Sequence, residues 1–218
     1  MVGKHSFFTS ALGDGGRRGY HHGRLKDALV EAARGLIAER GPAGFTLAEA
    51  AKRVGVTPAA PYRHFPDRNA LLAELARRGF DLFGQRLAGA WDNGRPNPLE
   101  ALKRMGSAYL DFSRQEPGLY GSMFDNVGAL ASPDAGAAAD EALALLRLAS
   151  DSVLRSLGAS EAHGRLLALQ IWSMSHGVAM LALAGHLNEA TEGCDPVPIL
   201  ESGVASLIAA AARQAGPK

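Results

Sequence analysis

An all-α fold of about nine helices follows from three features of the chain. Apolar residues recur at three-and-four spacing through most of the 218 residues, and caps and stops punctuate them at intervals. Runs in which Val, Ile, Thr and aromatics alternate between turn residues are nearly absent. The third feature is composition: 47% hydrophobic and 21% charged residues supply a real core and exclude a disordered chain, a collagen or a minimal disulfide scaffold. The single cysteine, Cys194, cannot form an intramolecular disulfide, which points to a reducing compartment, the cytoplasm.

The elements read in order. Leu25, Ala28, Leu29, Ala32, Ala33, Leu36 and Ile37 make one face of a first helix that Gly41-Pro42 stops. Thr46 and Glu49 have the spacing of a capping box and open a short second helix, which Gly55 ends. Thr57 and Pro58 read as the N-cap and first position of a third helix, brief, from about Pro58 to His64. Phe65-Pro66-Asp67 ends it and caps a fourth from Arg68 to Trp91, with Leu71, Leu72, Leu75, Leu82, Phe83 and Leu87 inward. At about 1.5 Å per residue this rod is about 35 Å long, enough to join two domains. After the Asn93–Pro98 loop come a fifth helix from Leu99 to Gln115 and a short segment through Phe124. A Gly/Ala/Pro-rich loop near Ala129–Gly136 follows, then helices at Ala138–Leu157, Ser160–Asn188 and Pro198–Gln214.

A near-neutral total hides an asymmetry. Residues 1–80 carry 13 Lys/Arg against 7 Asp/Glu, and the remainder carries 10 against 15. A basic part on a larger acidic part suggests a polyanion contact confined to the first third. From Leu166 to Asn188 there is no charged residue, long enough for a bilayer, but Gln170, Ser173, Ser175, His176 and His186 interrupt it. A helix buried on both faces explains the run better than a membrane span.

The stretch Thr46–Arg68 has the form of a helix-turn-helix. Pro58, Ala59 and Ala60 are small enough to let a helix N-terminus approach base edges, and Tyr62, Arg63 and His64 suit phosphate oxygens. GFTLAEAAKRVGVTPAAPYRHFPDRNALL resembles, almost position by position, the N-terminal domain of the TetR (tetracycline-repressor) family, including Tyr62, His64 and Phe65 of its Tyr-x-His-Phe signature. Gly19–Leu25 looks like the entry to that family's first helix. Ile171–Gly177 resembles the subgroup whose C-terminal domain is named for Trp, His and Gly, here Trp172, His176 and Gly177.

The resemblance implies a homodimeric repressor that binds a palindromic double-stranded DNA operator and leaves it when a small molecule enters the larger domain. It implies phosphate contacts at Thr57, Tyr62, His64 and Arg68, and base-facing positions at Ala48, Pro58, Ala59 and Ala60. Arg63 reaches a base edge, Thr46 sits at the same surface, and Arg17 and Arg18 form a basic arm. The implied division is a flexible basic leader over residues 1–18, a DNA-binding domain over 19–66, and an effector-binding and dimerisation domain over 67–214. Apolar base contacts sense a thymine methyl but carry no hydrogen-bond code, so Arg63, the arm and DNA shape must supply specificity. Pro61, inside the expected third helix, reads as stiffening at the loss of at most one hydrogen bond.

Effector and dimer residues come from helix faces. Met105, Tyr109 and Phe112 share a stripe of the fifth helix, Met123 and Phe124 follow, Trp172, His176 and Met180 share one of the eighth, and Phe83 of the fourth completes the wall. These describe a largely apolar cavity for a ligand with at most one anionic or hydrogen-bonding group. A second apolar face of the eighth helix, Leu167, Ile171, Met174, Val178 and Leu181, with Val204, Leu207 and Ile208 of the last, is assigned to the dimer.

No enzyme is expected, because there is no Gly-x-Ser-x-Gly elbow or Gly-rich phosphate loop. No cofactor or metal is expected either, because His163, His176, His186 and Cys194 contain no pair at four-residue spacing. Two rivals stay open on the residues: a helical small-molecule carrier or enzyme, and a membrane-associated bundle.

Overall fold

The computed structural model describes residues 18–124, 132–159, 163–187 and 195–214; among the described residues there are eight α-helices, three short 3₁₀ turns and no strand. The helices are α1 (Arg18–Arg40), α2 (Leu47–Val54), α3 (Arg68–Trp91), α4 (Pro98–Gln115), α5 (Pro117–Phe124), α6 (Pro133–Ser156), α7 (Gly164–Leu183) and α8 (Pro196–Gln214).

Local chemistry explains most boundaries. Gly41 ends α1 at φ 74°, a conformation that favours glycine, with its N–H on the Ile37 carbonyl at 2.8 Å. Asp67 caps α3 by accepting the Ala70 N–H at 2.8 Å, and Asn97 caps α4 by accepting the Glu100 N–H at 3.0 Å, with Pro98 at the first position. α3 is the central rod: Leu71, Leu72, Leu75, Phe80, Phe83, Leu87 and Trp91 are buried, and it packs on α4, α5 and α6. α1 and α2 sit at one end of this rod, and α6, α7 and α8 complete the larger bundle.

Glu74 ties α1 to α3. Its carboxylate takes Arg78 Nε at 2.9 Å and Arg77 Nη2 at 3.2 Å, with Lys26 Nζ of α1 at 3.6 Å, while Arg78 also reaches Asp27 of α1 at 2.6 Å. Burial alone would raise the Glu74 pKa, but the hydrogen bonds from Arg77 and Arg78 and the nearby Lys26 charge overcome it and hold the carboxyl down to about 2.

Several expectations are corrected. The third helix does not form as an α-helix: the chain makes a turn closed by Ala60 N–H on the Thr57 carbonyl at 3.0 Å, then a 3₁₀ turn at Pro61–Arg63. Pro61 has no N–H to continue an α-helical ladder, so bonding falls back to the tighter pattern. α6 begins at Pro133, not Ala138, with Pro in its first turn and Ala135 buried. α7 spans Gly164–Leu183 and Gly185 turns the chain at φ 77°, ending the helix before Asn188; residues 160–162 and 188 of the expected range lie outside the described residues. Gly19–Leu25 forms the opening turns of α1. Leu82 is only half-buried, and Phe80 occupies the core in its place.

The face of α7 assigned to a dimer is also corrected. Leu167, Ile171 and Val178, with Ile208 of α8, are buried in the protomer's own core, and Met174, Val204 and Leu207 are half-buried against it. Among those residues Leu181 alone is exposed, at 48%. α7 is long and apolar enough to cross a membrane, and its buried face, from Leu167 through Ser175 to Ala179, packs inside the bundle.

Candidate nucleic-acid interface and ligand cavity

Sequence chemistry builds the reading surface from the α2 cap outward. The Glu49 N–H donates to Thr46 Oγ1 at 3.2 Å, and the Thr46 N–H donates to Glu49 Oε2 at 2.8 Å. The Thr46 hydroxyl and N–H, with Arg40 behind them, hold the Glu49 carboxyl below its ordinary pKa. At the other end Gly55, at φ 79°, lets the chain reverse, and the Val56 N–H returns to the Ala51 carbonyl at 3.0 Å. Pro61 and Phe65 are buried and anchor the following turn from behind.

This anchoring leaves Thr57, Pro58, Ala59, Tyr62 and Arg63 exposed, beside exposed Thr46 and Ala48 of the first element. Ala60 and His64 are half-buried. Tyr62 is 59% exposed, unusual for an aromatic side chain. Two neighbouring arginines are engaged: Arg40 with Glu49 at 3.0 Å and Arg53 with Glu39 at 2.5 Å. Arg63 has no ion-pair or hydrogen-bond partner among the described residues.

Arg68 departs from its expected role. Its guanidinium stands 4.9 Å from the Phe45 ring centroid, donates Nε to the Phe45 carbonyl at 3.1 Å, and donates Nη2 to the Pro42 carbonyl. The loop before α2 ends in carbonyls that no helix satisfies, and the first side chain of α3 reaches them. The fork expected to face phosphate is therefore a staple inside the domain. Arg17 and Cys194 lie outside the described residues, as does the Arg18 side chain, although the Arg18 backbone opens α1.

The second feature is a cleft in the larger bundle, ending in a void of about 60 Å³. Phe83, Met105, Tyr109 and Trp172 line it as expected, joined by residues that helix faces alone did not select: Leu102 of α4, Ala142 and Leu146 of α6, and Leu200 of α8. Ile171, Val204 and Ile208, assigned to a dimer, line it too. Lys103 and Glu201 are the charged residues among its lining. Phe112 and Met123 are fully buried behind the wall, and Met180 points outward at 38% exposure, so these three are corrected.

Phe124 and His176 belong to a polar-aromatic cluster beside the cavity. Tyr120 Oη and His176 Nδ1 share a hydrogen bond of 2.8 Å, and Tyr109 Oη lies 3.3 Å from Tyr120 Oη and 3.4 Å from His176 Nδ1. Phe124 packs on the His176 ring at 4.7 Å between centroids. Burial, and secondarily Tyr120, push the Tyr109 pKa up, so the phenol stays protonated. Tyr120 was not anticipated, although it lies one helical turn before Met123 and Phe124. Among the described residues no three His, Cys, Asp or Glu side chains gather as metal ligands.

Two family models match the chain, one described as bacterial regulatory proteins of the tetR family over residues 29–75, the other as a tetracyclin repressor-like C-terminal domain over residues 102–207. Among curated relatives, the HTH-type transcriptional regulator YobS of Bacillus subtilis is 30% identical over 45% of this chain and 50% of its own length. The nucleoid occlusion factor SlmA of Vibrio campbellii is 30% identical over 47% of this chain and 55% of its own. The chain thus spans about half the length of the curated relatives it matches. A Rhodococcus sp. RHA1 protein of unknown function has a similar structure, with TM-score 0.74 and 25% identity, covering 90% of this chain and 100% of that one. The TetR family regulator PfmR of Thermus thermophilus shares the fold at TM-score 0.65 and 17% identity, covering 83% and 97%.

Proposed function

The chain belongs to the TetR family of bacterial transcriptional regulators, which are not enzymes, and from that premise we propose that it is a ligand-responsive repressor working in the cytoplasm. The observation that carries the reading is the exposed rim Thr57, Pro58, Ala59, Tyr62 and Arg63, held outward by buried Pro61 and Phe65. Tyr62, Arg63, Thr57 and His64 contact phosphate or base edges, and Ala48, Pro58, Ala59 and Ala60 pack close to the groove floor. Thr46 works by capping, and Arg68 by holding the loop that presents them. The basic leader over 1–18, with Arg17 and Arg18, adds nonspecific attraction to the domain over 19–66. The segment over 67–214 holds the effector and dimer functions. The Trp172, His176 and Gly177 motif supports the Trp-His-Gly subgroup.

Two protomers pair through the outward face of α7. Leu166, Leu169, Met180 and Leu181 are exposed there, with exposed Ser173 and Gly177 between them allowing close approach. Paired domains then meet a palindrome with half-sites about one helical turn, ~34–36 Å, apart. The effector is a largely apolar small molecule that enters the cleft between α4, α6, α7 and α8. Release follows when its affinity differs between the DNA-competent and DNA-incompetent poses.

Selection of duplexes from a random pool tests the reading. An inverted repeat enriched by the wild-type protein, and lost on Tyr62→Ala with Arg63→Ala, is expected; no enrichment above nonspecific binding overturns it.

A further inference from the structure

Resting on this regulatory reading, we propose that the Glu116 carboxylate is the latch through which the state of the cavity reaches the DNA-reading domain. Glu116 follows the last turn of α4, and its two oxygens hold two different elements. Oε2 accepts Arg34 of α1, and Oε1 accepts Arg86 Nη2 of α3 at 3.2 Å. The Glu116 side chain is 12% exposed while Arg34 and Arg86 are 36% and 31% exposed, so the carboxylate is sheltered and its partners are partly solvated. Arg86 is fixed further by Gln115 Oε1 at 2.8 Å and by the Phe112 ring, 5.4 Å from its guanidinium.

A second contact reinforces the first. Pro117 opens α5, and Gly118 passes so near the Arg34 carbonyl that any Cβ would overlap it. The second half of α1 is therefore seated on the α4–α5 corner by one carboxylate and one bare backbone contact. α5 is in turn tied to α7 through Tyr120 and His176.

The same α4 walls the cavity with Leu102, Met105, Gly106 and Tyr109, about two to four turns before Glu116. A void of about 60 Å³ is small. An engineered apolar cavity that accepts benzene measures roughly 150 Å³, so a ligand of that size seated wholly between these walls pushes them apart. A closely packed interior passes such a displacement along a helix rather than absorbing it. Movement of α4 carries Glu116 away from Arg34 and Arg86 and frees α1, and with it the reading turn.

A built-in occupant tests the latch without an identified effector. Ala142 lines the cavity and is 5% exposed, so Ala142→Phe pushes α4 from the α6 side. Wild type, Ala142→Phe, Glu116→Gln and the double variant are titrated against a duplex selected by the wild-type protein from a random pool. Relative to wild type we expect losses in DNA affinity of about ten-fold for Ala142→Phe, about three-fold for Glu116→Gln, and still about ten-fold for the double. Losses that multiply to about thirty-fold, or a folded Ala142→Phe with wild-type affinity, overturn the latch. If Ala142→Phe does not fold, hydrogen exchange of the wild-type protein decides. The duplex should slow amides of 105–109 and 115–120 together, and unchanged exchange at 115–120 overturns the proposal. Failure of the wild-type protein to select any duplex would instead remove the regulatory reading itself.

Discussion

Replacing Arg68 by alanine removes two hydrogen bonds from a charged donor and a cation placed over an aromatic ring. Each charged hydrogen bond is worth about 1.5–3 kcal/mol on truncation, and the ring contact about 0.5–1 kcal/mol. Arg68 is half-buried, so the low ends apply and sum to about 3.5 kcal/mol, of which water replacing it at the carbonyls leaves about 3 kcal/mol. For a chain of this length each kcal/mol lowers the melting midpoint by about 2–4 °C, giving a fall of about 6–12 °C. Circular dichroism melts of the DNA-free protein measure it, and Arg68→Lys, which keeps the charge but not the fork, should fall between. The reasoning is refuted if Arg68→Ala melts within about 2 °C of wild type while its DNA affinity drops and its salt slope falls by about one, the signature of an exposed phosphate contact.

Other variants separate the remaining roles. Arg63→Ala should leave the melting midpoint unchanged but reduce the salt slope of DNA binding by about one, and an unchanged slope removes Arg63 from the interface. Glu74 has a depressed pKa, so its contribution is full above the ordinary carboxylate pKa near 4.5 and is lost as pH falls toward about 2. Glu74→Gln should therefore cost about 2 kcal/mol in urea unfolding at pH 7, after allowance for screening of the partly exposed arginines, and much less at pH 3. An equal cost at both pH values contradicts the assignment. Leu169→Glu on the outward face of α7 should convert a dimer to monomers in sedimentation, whereas Leu167→Glu, in the core, should reduce folding itself. A Leu169→Glu protein that stays dimeric places the interface elsewhere.

What the sequence made legible was mostly local. The Thr46–Glu49 capping box, the Asp67 cap and the Gly55 turn depend on residues three or four apart, and each is present. The missing third helix was also a local signal: Pro61 withholds the donor that an α-helix needs there, and the Thr57-Pro58 cap outweighed it in the reading. Helix faces failed where both sides of an element are apolar. In α7 the periodicity that includes Leu167, Ile171 and Val178 is as regular as the one through Leu166, Leu169 and Leu181, and only packing of the whole bundle decides which is inside. Long-range polar partners were illegible for the same reason. Arg68 meets carbonyls 23 and 26 residues earlier, and Arg34 meets Glu116 across 82 residues. No spacing in one sequence announces such pairs.

The proposed regulator is a paired protein that reads DNA through the Thr57–Arg63 turn. Its most direct test is a stoichiometric titration of the selected duplex, followed by sedimentation at physiological salt. Two protomers on one duplex are expected, protecting two half-sites centred about 10 base pairs apart, with no complex of that size for Tyr62→Ala and Arg63→Ala combined. One protomer per duplex, or the same complex formed by the doubly substituted protein, contradicts it.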